Sequence, residues 1–116
     1  MKQEIQLIQA IESAQAFGIT IVRGALFEFD KYIIACDPIG ALLLYNKSSK
    51  LRFEQGWLDD VCKILDVDRF WLYRFWMGFD RHYQIIIERT SEKTGKTLYS
   101  DDDVSKLGIR LAKTYI

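Results

Sequence analysis

Residues 57–79, WLDDVCKILDVDRFWLYRFWMGF, constrain the fold more than any other stretch of this chain. They contain all three tryptophans and divide into two helical patterns. Between positions 57 and 65, Trp57, Leu58, Val61, Ile64 and Leu65 share one side and Asp59, Asp60 and Lys63 the other, which predicts an amphipathic helix. Asp68 can then cap a second helix running from Arg69 to about Phe79. At about 100° per residue, Phe70, Trp71, Leu72, Tyr73, Phe75, Trp76, Met77 and Phe79 leave only a narrow sector near Arg74 and Gly78 without a large side chain. A helix that is apolar nearly all round is either central to its fold or half-covered by a partner. A chain of 116 residues has few elements with which to cover every side itself.

The remaining chain reads as a mixture of helix and strand. Leu7, Ala10, Ile11, Ala14 and Phe17 predict an amphipathic helix over residues 3–17, with Gly18 as its C-terminal cap. The period then changes to two. Residues 19–23, 25–29 and 32–36 are β-branched and aromatic, Gly24 suggests a bend, and Asp30-Lys31 a tight turn. Residues 37–46 open on Asp-Pro and close on Asn; this pattern favours a short helix, with a turn feeding another strand as the alternative. Asn46 to Lys50 reads as a surface loop. Residues 83–89 and 97–100 read as hairpin arms, and Asp101-Asp-Asp103 precedes a last helix whose apolar face is Val104, Leu107, Leu111 and Tyr115.

These elements predict a single α+β domain over residues 1–116: a small antiparallel sheet, from 19–36 and 83–100, packed against three to four helices. The expected core is Leu7, Ile11, Phe17, Ile21, Phe27, Ile34, Leu42, Leu58, Val61, Leu65, Leu72, Trp76, Ile86 and Leu107. A hydrophobic fraction of 49% suits a packed globule and argues against disorder. The two cysteines, Cys36 and Cys62, sit among apolar neighbours outside any metal-binding spacing, so they read as buried thiols in a reducing compartment. The polar opening Lys2-Gln-Glu-Ile-Gln is unlike a signal peptide, and the apolar runs are too short to span a bilayer. The expectation is a cytoplasmic protein with no membrane partner.

Charge and motif chemistry narrow the functional classes. Sixteen basic and sixteen acidic residues give zero net charge, so nothing draws the chain toward phosphate backbones over long range. Val61, Cys62, Leu65, Asp66, Val67, Asp68, Leu72 and Arg74 nonetheless fall into a register that resembles the helix-turn-helix of DNA-binding proteins, in which Arg69 and Arg74 would contact DNA. Asp66 stands where that motif has its turn glycine. Large rings replace the small polar base readers, and Asp59, Asp60, Asp66 and Asp68 would repel phosphate. Residues 90–97 resemble a phosphate loop except that Thr90 replaces the first glycine, and three aspartates follow. The acidic runs at Asp66 and Asp101 fail as calcium loops, lacking glycine at position 6 and glutamate at position 12. Asp80 and His82, the only histidine, form the single catalytic candidate, but no nucleophile is placed beside them.

No cofactor or metal is implied, and an enzyme is disfavoured. The leading expectation is a non-catalytic binding or interaction domain, with a protein partner or a second copy of the chain docking on the aromatic helix. The expected binding residues are Trp71, Tyr73, Arg74, Trp76 and Phe79, because Trp, Tyr and Arg dominate interface energetics. A helix-turn-helix DNA binder and a small enzyme centred on Asp80 and His82 are the alternatives.

Overall fold

Caps and left-handed residues fix where the elements end. The structure, a computed structural model, describes residues 2–46, 56–80 and 103–116. Its architecture is α+β, with five helices and a three-stranded sheet among the described residues: α1 (Lys2–Ala16), β1 (Thr20–Ile21), β2 (Phe27–Asp30), β3 (Tyr32–Cys36), α2 (Pro38–Tyr45), α3 (Trp57–Leu65), α4 (Arg69–Phe79) and α5 (Asp103–Tyr115). The chain forms two compact units, Met1–Val67 and Asp68–Ile116.

In the first unit, Leu7, Ala10, Ile11 and Ala14 are the buried stripe of α1. The helix closes in a Schellman motif, with Ile19 N–H donating to the Ala14 carbonyl at 3.0 Å and Gly18 N–H to Gln15 at 2.9 Å. Gly18 takes the left-handed φ of 80° that this geometry requires. Phe17 was expected in the core but is 83% exposed. It follows the last helical residue at the margin of the apolar stripe, so helical periodicity no longer aims it inward.

The sheet is mixed rather than antiparallel. Its order is β1-β3-β2, with β2 antiparallel and β1 parallel to β3. The chain reverses between β1 and β2, where Gly24 sits at φ 77°, so this glycine marks a change of direction. Lys31 turns β2 into β3 at φ 65°. Between the pairs Glu28–Ala35 and Phe29–Ile33 the register slips, leaving Ile34 unopposed. That bulge breaks the two-residue alternation that placed Ile34 in the core; the side chain is 46% exposed. The expected second half of the sheet, residues 83–100 with Ile86, lies outside the described residues.

Residues 37–46 form the short helix that Asp-Pro favoured. The Asp37 carboxylate accepts from Gly40 N–H at 2.7 Å, Pro38 occupies the first turn, and the Asn46 side chain donates to the Leu42 carbonyl at 2.8 Å. Every residue from Pro38 to Leu43 is buried. Gly40 is required by space: a Cβ there would collide with the Leu26 carbonyl and stand 3.0 Å from the Cys36 Cβ. The last carbonyls of α3 accept from α1, Leu65 from Gln3 at 3.1 Å and Ile64 from Gln6 at 2.9 Å, which satisfies acceptors that a helix end leaves open. Val61 and Leu65 are fully buried, whereas Leu58 is only half-buried.

Asp66 closes α3 at φ 55°, ψ 55°. Val67 N–H donates to Cys62 and Asp66 N–H to Lys63, so this aspartate takes the left-handed position that glycine usually fills. Asp68 then caps α4 by accepting from Trp71 N–H at 2.9 Å. In the second unit, α4 packs along α5. Phe75, Phe79, Leu72 and Leu107 are fully buried there.

Candidate interaction surface

The contact between α4 and α5 decides which rings of α4 remain available. Gly78 and Gly108 lie inside helices, where each costs roughly 1 kcal/mol relative to alanine, so a packing gain must offset them. A Cβ on Gly78 would strike the Ser105 carbonyl, and one on Gly108 would come within 2.6 Å of the Phe79 amide nitrogen. The two backbones therefore touch at small residues, and Ser105 Oγ donates to the Arg74 carbonyl at 3.2 Å. Trp71 stacks on Phe75 (centroids 5.7 Å apart) and Phe75 on Phe79 (5.9 Å), a ladder at the helical spacing of four.

This packing resolves a helix that looked apolar nearly all round into two faces. At about 100° per residue, the buried residues Gly78, Trp71, Phe75, Phe79 and Leu72 fill an arc of about 120°. Across the helix, Tyr73, Met77, Phe70 and Arg74 occupy an arc of about 100°. There Phe70 is 74% and Tyr73 44% exposed, and Met77 and Arg74 are half-buried. Trp76, expected in the core, sits on the flank, half-buried, with its ring 6.4 Å from that of Tyr73. Arg74 Nε donates to the Phe70 carbonyl at 3.4 Å, which lays the guanidinium stem along the outer face.

Of the five expected binding residues, Tyr73, Arg74 and Trp76 reach the surface, whereas Trp71 and Phe79 are interior. Phe70, the most exposed ring on α4, was not among them. A signal for the inner face did exist, since a glycine within a helix of large side chains marks where a neighbouring backbone comes close. Arg69 is exposed in the first turn. Asp80 is buried at the end of α4, its N–H donating to the Trp76 carbonyl at 2.7 Å. His82 lies outside the described residues, as does the phosphate-loop-like segment 90–97, while Asp103 begins α5. Among the described residues, no group of three or more His, Cys, Asp or Glu is arranged to hold a metal ion.

The first unit carries a separate feature, an open apolar cleft of about 290 Å³ between α1 and α2. Ala10, Ala14, Ala41, Leu44 and Ile19 line it, with Ser13, Phe17 and Tyr45. In the same unit Cys36 is fully buried, and burial, reinforced by the charge of Asp37, pushes its thiol up to about 12. Such a thiol stays protonated and unreactive at neutral pH. Cys62 is half-buried on α3.

No family model matches the chain, and comparison with curated proteins and with solved structures finds no significant match either. Among the described residues, no helix is long and apolar enough to cross a membrane.

Proposed function

We propose that this chain is a non-catalytic interaction domain that associates with a second copy of itself through the outward face of α4. The observation that carries the reading is Phe70, a phenylalanine left 74% exposed in the same stripe as Tyr73, Arg74 and Met77. Aromatic residues, methionine and arginine are the types enriched at interfaces. Equal numbers of acidic and basic residues leave no net repulsion between two copies.

The size of the stripe sets the strength. Eleven residues of helix make a strip about 16 Å long and about 10 Å wide. That falls well short of the roughly 800 Å² per side of a standard stable interface. The expected association is therefore weak, a transient contact with a Kd of roughly millimolar. Sedimentation velocity over a wide concentration range should show a rising mean mass that Phe70→Asp abolishes while the circular dichroism spectrum stays unchanged. A strict monomer at the highest concentration overturns the reading.

A further inference from the structure

We draw no further inference here: the strongest candidate, the open apolar cleft between α1 and α2 lined by Ala10, Ala14, Phe17, Ala41, Leu44 and Tyr45, carries nothing because nothing in the structure shows what covers it.

Discussion

The two units bring helices together by different means. In Met1–Val67, α2 is held by local chemistry: an aspartate cap, a proline in the first turn and an asparagine at the end, with aliphatic side chains buried from Pro38 to Leu43. In Asp68–Ile116, α4 is held by shape, with large rings on one arc and glycines at the point where α5 touches its backbone. The first arrangement announces itself within ten consecutive residues. The second depends on residues about 30 positions apart, as with Ser105 and Arg74. Local chemistry fixes where a helix begins and ends; the partner's small residues fix which face is left over.

The sharpest way to break this comparison is to treat the two arcs of α4 alike. Phe75→Ala removes a fully buried ring from the middle of the stacked ladder and should lower unfolding free energy by about 3–5 kcal/mol. Phe70→Ala, on the outward arc, should change it by no more than about 0.5 kcal/mol under monomeric conditions. Urea titrations of the two variants measure both values. Equal losses would mean that α4 has no free face.

Close backbone approach gives the next effect in size. Gly78→Ala gains helix propensity of roughly 1 kcal/mol but forces a methyl into the Ser105 carbonyl. The helices then have to separate, so a net loss of about 1–3 kcal/mol is expected. Gly40→Ala should fail comparably in the first unit, because there too the obstacle is a backbone carbonyl, that of Leu26. Differential scanning calorimetry ranks the pair. A stabilised Gly78→Ala would show that propensity, rather than contact, governs that position.

How much of this was legible in the sequence follows from the same division. The bounds of α3 and α4 were readable because Asp68 caps one helix and amphipathic spacing defines the other. Residues 37–46 favoured a helix through Asp37-Pro38 and Asn46 but left a turn into another strand open, and it is the helix that forms. Phe17 and Ile34 were misplaced because periodicity assumes an unbroken element, and one lies beyond a helix end while the other is a bulge. The parallel pairing of β1 with β3 was hidden because a two-residue strand carries almost no pattern. The candidate surface was legible only as a segment. Trp71 and Phe70 are neighbours of similar character, and nothing in their own residue types says that the fold buries the first and leaves the second exposed.

A smaller loss than those at Phe75 and Gly78 tests whether the interior of the first unit is as closed as that of the second. Cys36 is fully buried beside the Asp37 cap, and its thiol is raised from 9.0 to about 12. The raised value lies in the folded state, so the contribution to stability is fully present below about pH 9, where both states hold the proton. Above that pH the unfolded chain ionises while the folded chain does not, and stability falls by at most about 1.4 kcal/mol per pH unit until the folded thiol itself titrates. Lysines and tyrosines titrate over the same range in any variant, so the informative quantity is a difference. Between pH 9 and 10 the parent should lose up to about 1 kcal/mol more than Cys36→Ala, measured by urea unfolding at each pH. Identical pH dependence in the two chains would mean that water reaches Cys36, and that the unit built from caps and aliphatic side chains is the more open of the two.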